Sequence, residues 1–466
     1  MLPVAISETT AGRIRKIENG IIPESPLRCQ SAPAVTLADR METLATPGVS
    51  VAVIEDGRIA WARGWGVSEA GQPDPVTPET LFQAASISKP VTALAVLRLA
   101  EHGYLDLDED VNVYLTSWKV PENEGWQPRV TLRQLLSHTG GTTVPGFPGY
   151  PQGQPLPAAL QVLSGEPPAN TDPVIVSVLP GTLNRYSGGG TTIVQQLLVD
   201  LLGQPFPQII RELVLNPLGM DRSTYELPRD RWQAAATAHP SGGTPLPGRW
   251  HVYPEMAAAG LWTTPSNLAR FAIALQGAKS RKPNSLLSGA MIDQMMTSQL
   301  DDGAGLGIMV GGPDGARRFG HGGWNLGFVS NLVAYQEQGF GCVVMLNSNQ
   351  GASLLEEVTR AVAREYGWPD YIPAAQVETE VDAALLGMYV GDYVLPQGST
   401  IAVAQDENGL LLRLGAQPAV PLSAESESKF FAKVLDVSVT FVKEEGGGVS
   451  ALLLRQDGQE RTAKRG

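Results

Sequence analysis

Ala85-Ser86-Ile87-Ser88-Lys89-Pro90, running on into Val91 to Ala100, is the stretch on which the reading of this chain turns. Between Val91 and Ala100 only Thr92 and Arg98 are polar. That pattern predicts a helix apolar almost all round, and such a helix belongs in a core. Ser86 and Lys89 stand three residues apart at its first turn, a spacing that puts both side chains on one face. An ammonium group facing an apolar core loses proton affinity, because burial disfavours the charged form. A neutral lysine beside a serine hydroxyl is a nucleophile with its base. The stretch therefore points to S-x-x-K acyl-transfer chemistry.

Spacing alone carries little. Ser426-Glu427-Ser428-Lys429 also matches S-x-x-K, but it lies in a polar stretch with no apolar helix behind it. We read that copy as a chance match. Ser86 differs because a helix start also aims backbone N–H groups and a positive dipole end at a reacting oxygen. Taken singly, an N-cap serine and a surface lysine account for Ser86 and Lys89 equally well.

The 466 residues are 43% hydrophobic and 17% charged, too many for one small core, so two or three units are expected. A net charge of −13 without a basic cluster argues against a nucleic-acid surface. No stretch approaches the roughly 20 apolar residues of a membrane span. The N-terminus lacks a basic region followed by an apolar run, which points to a cytoplasmic location. Cys29 and Cys342 lie far apart, so a disulfide framework is not expected, and Cys342 reads as a buried small hydrophobe. The five histidines are too dispersed to suggest a metal site.

Outward from the serine helix, residues 8–21 and 36–45 read as amphipathic helices. Residues 48–54 and 58–67 read as strands joined by a hairpin at Glu55-Asp56-Gly57. A short helix over 130–138 has Thr131 as its cap. Residues 142–182 read as a long loop dense in Pro and Gly, whose Phe147 and Tyr150 either line a substrate mouth or anchor the loop. Tyr186 stands in a glycine-rich loop ahead of a helix over 191–202. A tyrosine near a cationic lysine can carry a depressed pKa and act as acid or base. Four strands follow between 306 and 347, with Gly320-His321-Gly322-Gly323-Trp324-Asn325 joining two of them, and a helix over 353–366 closes the unit. The glycines there let a substrate lie close against the backbone. Beyond 372 come short strands with hairpin turns at Glu407-Asn408-Gly409 and Asp457-Gly458, the pattern of a small barrel or sandwich. The architecture is an α/β catalytic unit of about 370 residues plus a β appendage of about 80.

S-x-x-K at Ser86–Lys89, Tyr186, and His-x-Gly at His321–Gly323, in this order, resemble the penicillin-recognising serine hydrolases, nearest the class C β-lactamases with the family VIII esterases and D-amino-acid peptidases. The resemblance spans roughly 35–370. It includes Leu81-Phe82-Gln83-Ala84, Leu135-Leu136-Ser137-His138-Thr139-Gly140-Gly141, Pro180-Gly181-Thr182 and Gly260-Leu261-Trp262-Thr263-Thr264. It implies an α/β (α+β) β-lactamase-like domain over 1–372, with an antiparallel sheet flanked by helices and an all-helical subdomain. A linker over 373–387 and a lipocalin-like antiparallel β-barrel over 388–466 follow. It also implies that Ser86 forms an acyl-enzyme, that Lys89 and Tyr186 exchange the proton, and that the backbone N–H groups of Ser86 and Trp324 form the oxyanion hole. His321, Gly322, Gly323 and Gly188 then bind substrate, with Phe147 and Tyr150 at the mouth, and no metal or cofactor is needed. Which of Lys89 and Tyr186 is the base stays open at this level.

Two positions depart from the family pattern. Gly188 stands where the tyrosine motif usually ends in asparagine. His321 replaces a lysine and, being mostly neutral at pH 7, weakens the charge available to a penicillin carboxylate. Both favour an ester, amide or short-peptide substrate over a β-lactam. The expected activity is that of a carboxylesterase or a D-amino-acid peptidase, with β-lactamase and acyltransferase chemistry on the same site as the alternatives. A catalytically silent penicillin-binding sensor is the alternative of another class.

Overall fold

The computed structural model describes residues 7–23, 33–227, 229–283, 285–300, 303–372, 378–395, 400–407, 409–415, 418–432, 437–444, 448–456 and 459–466. The chain falls into two compact units, Met1–Ile21 with Ala34–Ile372, and Ile22–Pro33 with Pro373–Gly466.

The first unit is built on α1 (Glu8–Glu18), α2 (Leu37–Thr43), β1 (Gly48–Glu55), β2 (Arg58–Gly66), α3 (Ser88–Glu101), α4 (Leu132–Leu136), α5 (Gly188–Leu202), α6 (Met256–Ala259), α7 (Pro265–Lys279), β3 (Met309–Gly311), β4 (Arg318–Asn325), β5 (Phe328–Tyr335), β6 (Gly341–Leu346) and α8 (Ala352–Glu365). The strands form one antiparallel sheet in the order β2-β1-β6-β5-β4-β3. Its centre is buried on both faces. Along β1, Val49, Val51 and Val53 enter a core shared with α1, α2 and α8, while Ala52 and Ile54 enter the larger core shared with α3 and α7. That is the period of two expressed on a sheet with helices on either side. The β1–β2 hairpin turns at Asp56 and Gly57, both at positive φ (52° and 66°), as an Asp-Gly turn requires.

Several elements differ from the sequence reading. Residues 142–182 are not one structureless loop: Tyr150–Pro151 pairs with His251–Val252, and Ala159–Ser164 is helical. The stretch His321 to Asn325 is not a turn between strands but lies inside β4. The strand expected over 306–310 is confined to Met309–Gly311. Helix α5 starts at Gly188, with Ser187 accepting from the Gly190 N–H, so the glycines after Tyr186 form its first turn.

The second unit is a closed barrel of eight antiparallel strands, β7 (Gly391–Val394), β8 (Thr400–Asp406), β9 (Gly409–Leu414), β10 (Val420–Ala424), β11 (Lys429–Ala432), β12 (Val437–Lys443), β13 (Val449–Gln456) and β14 (Gln459–Arg465). Tyr389, Tyr393, Phe430 and Phe441 fill its interior, with the Tyr389 and Phe441 rings stacked at 4.1 Å. The stretch read as a linker joins it in part: helix α9 (Ala383–Gly387) lays Leu385 and Leu386 on the barrel core. Residues 373–377, Asn408, Asp457-Gly458 and Cys29 lie outside the described residues. The second S-x-x-K is a turn there: Ser426 accepts from the Lys429 N–H, and the Lys429 ammonium pairs with Glu425 at 2.9 Å.

Candidate active site

Ser86 sits on a single 3₁₀ turn, Ala85–Ile87, immediately before α3. Ala85 has φ 49°, a conformation that costs a residue with a Cβ and persists only where the surroundings hold it. Here they do. Ser88 Oγ donates to the Ala85 carbonyl at 2.6 Å and accepts from the Leu261 N–H at 3.0 Å. Ser330 Oγ donates to the Ala84 carbonyl at 3.0 Å. The nucleophile candidate is half-buried on a tightly anchored turn.

Lys89 points from α3 back toward that turn. Its Nζ lies 2.9 Å from Ser86 Oγ and donates to the Ala258 carbonyl of α6 at 3.0 Å. Burial alone lowers the lysine from 10.5 to about 7, with no carboxylate among its causes to hold the ammonium. A neutral amine in this place donates to Ala258 and accepts from the serine hydroxyl.

Tyr186 brings its phenol to the same point. Its phenol lies beside the Ser86 hydroxyl, and its ring centroid is 4.9 Å from Lys89 Nζ. The sequence suggested a depressed tyrosine pKa beside a cation. The structure reverses this: burial raises it, and the neighbouring Ser86 hydroxyl only partly offsets that rise. The reason is that desolvation of the phenol outweighs what its neighbours supply. Tyr186 rests as a protonated phenol.

Two imidazoles flank the tyrosine. His321 lies 6.2 Å away between ring centroids, and His138 lies 4.3 Å away. Burial, then Lys89, lowers His321 to about 4. Burial, then Lys89 and His321, lowers His138 to about 3. Both are neutral at pH 7. His321 Nδ1 meets the Gly322 carbonyl at 2.6 Å, so this nitrogen carries the proton, and Nε2 is a buried acceptor without a partner.

The glycines of β4 have separate reasons. A Cβ on Gly323 would lie 2.2 Å from the Ala84 carbonyl oxygen and 2.3 Å from Ser330 Oγ, so only glycine lets β4 run against the Ser86 segment. Gly322 is exposed, with nothing nearer than 3.9 Å to such a Cβ. Residues Asn325 and Phe328 close the β4–β5 ladder. By the alternation of an antiparallel pair, the Trp324 N–H then points away from β5 and toward the edge that the Ser86 turn faces. The Trp324 indole is 61% exposed at this edge.

Gly188 has a clear physical counterpart. A Cβ there would lie 2.8 Å from Phe147 Cε2. The Phe147 ring occupies the space an asparagine would need. Tyr150, by contrast, is buried and its hydroxyl accepts from the Asn170 N–H, so it anchors the loop rather than lining a mouth.

Sequence reasoning passed over two contributors and one buried acid at the start of α6. The Ala258 carbonyl is invisible in sequence, as backbone always is. His138 stood in a motif that was noted without a role. Glu255, between Pro254 and an apolar run, is 0% exposed, and neither carboxyl oxygen has a partner beyond its own amide. Burial raises it to about 7, beside Tyr150 and Tyr253. A lone acid opening an apolar stretch was the available signal. Among the described residues no cluster of His, Cys, Asp or Glu could hold a metal ion, and no helix is long and apolar enough to cross a membrane.

Penicillin-binding protein 4* of Bacillus subtilis is 24% identical over 460 residues, covering 89% of this chain and 94% of that protein. Esterase EstB of Burkholderia gladioli is 26% identical over 326 residues, covering 61% and 75%. The solved structure of an octameric penicillin-binding protein homologue from Pyrococcus abyssi superposes with a TM-score of 0.59 at 22% identity, covering 92% of this chain and 98% of that one. The sequence pattern of the family described as Beta-lactamase matches residues 35–366, so the chain belongs to the serine β-lactamase-like hydrolase family.

Proposed function

We propose that the protein hydrolyses ester or amide bonds through an acyl intermediate on Ser86, as a carboxylesterase or a D-amino-acid peptidase. The observation that carries this is the 2.9 Å approach of a lysine, buried and brought to about 7, to Ser86 Oγ. Ser86 Oγ attacks the carbonyl carbon as its proton passes to Lys89 Nζ. The oxyanion that forms takes hydrogen bonds from the Ser86 and Trp324 N–H groups. The bond to the leaving group breaks, and that group takes the Tyr186 phenol proton, which the Lys89 ammonium replaces. Water then attacks the acyl carbon as its proton passes to Lys89, the bond from the acyl carbon to Ser86 Oγ breaks, and Ser86 Oγ takes that proton back as the acid is released. Lys89 is the base in this reading because it is the neutral amine, while Tyr186 is the protonated donor.

The neutral His321 and the Phe147 ring beside Gly188 support an ester or peptide over a β-lactam. Neither offers a cation for a carboxylate or an amide for a lactam side chain. The test is a fluorophosphonate and a penicillin-type label, applied to wild type and S86A. The wild type takes up label and S86A does not, and p-nitrophenyl esters or D-alanyl peptides turn over faster than a chromogenic cephalosporin. A wild type that takes neither label and hydrolyses no activated ester sinks the enzyme reading. Cephalosporin turnover far above the esters makes it a β-lactamase.

A further inference from the structure

We propose that His138 is a positioning residue for Tyr186, holding the phenol on Ser86 by clamping the chain on both sides of it. The inference rests on the acyl-serine reading above. The Arg185 N–H donates to the His138 carbonyl at 2.7 Å, and the Ser187 N–H donates to His138 Nδ1 at 3.3 Å. One residue thus bonds both neighbours of Tyr186. Its ring also lies against the phenol, 4.3 Å between centroids and tilted by 40°.

The Arg185 guanidinium on Ser177 Oγ and the Ser187 hydroxyl on the Thr143 carbonyl hold one side each, whereas His138 bonds both. Residues 181–184 are exposed, and Tyr186 itself is 37% exposed. The segment needs an anchor, and α4 supplies one. His138 follows the Ser137 cap of α4 and takes φ 58°, a left-handed position that glycine or asparagine fills at less cost. The imidazole is 6% exposed. Helix termination does not require it, whereas the Ser187 bond does. That bond needs an unprotonated Nδ1, since an imidazolium has no acceptor. Burial and the nearby Lys89 and His321 keep the ring neutral, so the clamp stays closed across the working pH range.

The test uses H138N, H138G and Y186F in the full chain, each checked for wild-type thermal unfolding. Both His138 replacements accept a positive φ, so backbone strain is held constant. Asparagine keeps an acceptor near the place of Nδ1, and glycine removes it. If the clamp orients the proton donor, H138G loses kcat on substrates with poor leaving groups, such as alkyl esters or anilides, by at least about tenfold. The same variant loses less than about threefold on p-nitrophenyl esters, whose leaving group needs no proton. KM is unchanged, H138N recovers most of the loss, and Y186F shows the same leaving-group selectivity. Equal losses on both substrate types, or no loss in H138G while Y186F shows the selectivity, overturn the role of His138 and leave the acyl-serine reading standing. A wild type that turns over neither substrate removes that reading, and the clamp's catalytic purpose with it.

Discussion

If Lys89 is the base, its protonation sets the pH dependence of acylation. The perturbation is pH alone, and kcat/KM is the measure, because it reports the free enzyme's essential groups. The lysine is 4% exposed, and burial brings it from 10.5 to about 7. At pH 7 roughly half of the molecules then carry a neutral amine, against about one in three thousand for an unshifted lysine. The profile for a p-nitrophenyl ester, corrected for spontaneous hydrolysis, should rise about tenfold per pH unit below 6 and level off above about 8. K89R keeps a cation at every accessible pH and should lose acylation by a factor beyond about a thousand. E255Q removes the other buried group brought to about 7 and should leave the inflection in place. A profile flat from pH 5 to 9, an inflection near 10, or K89R with a tenth of wild-type activity would refute Lys89 as the base.

Glu255 also makes a stability prediction. Its folded pKa of about 7 exceeds the ordinary 4.5, so the native state binds the proton more tightly than the unfolded chain. Stability contributed by the protonated acid is full below about 4.5 and is lost as pH rises through about 7, a loss of about 3 kcal/mol. Urea titrations at pH 4.5 and pH 8 should show E255Q gaining about that much on wild type between the two, and a constant difference would falsify the shift. G188N forces a Cβ to within 2.8 Å of the Phe147 ring and should cost about 1–3 kcal/mol in the same assay. Combining it with F147A should return part of that loss, and additive effects would show that the two positions do not compete for one space.

Much of the site was legible because chemistry and pattern coincided in short stretches. Ser86 and Lys89 share one helical turn, so spacing plus an apolar helix sufficed to place both. The hairpin at Asp56-Gly57, the Thr131 cap and the alternating strands of the sheet follow from local rules. Less legible was what distant packing decides. His321 to Asn325 read as a turn because two glycines interrupt a strand, yet one of those glycines is the close approach of β4 to Ala84. Tyr150 looked like a mouth residue because aromatic side chains in Pro-Gly loops are ambiguous until their neighbours are known.

By itself the sequence determined the residue types, their order, and the apolar helix that buries a lysine beside a serine. It also determined that Gly188 and His321 depart from the family pattern. Only the tertiary structure decided the protonation states. Lys89 is neutral enough to serve as base because the fold surrounds it with apolar groups and a carbonyl instead of a carboxylate. Tyr186 stays protonated for the same reason, against the expectation drawn from a nearby cation. Desolvation depends on everything packed around a group, and that packing comes from α3, α6 and β4, which no local stretch of sequence contains.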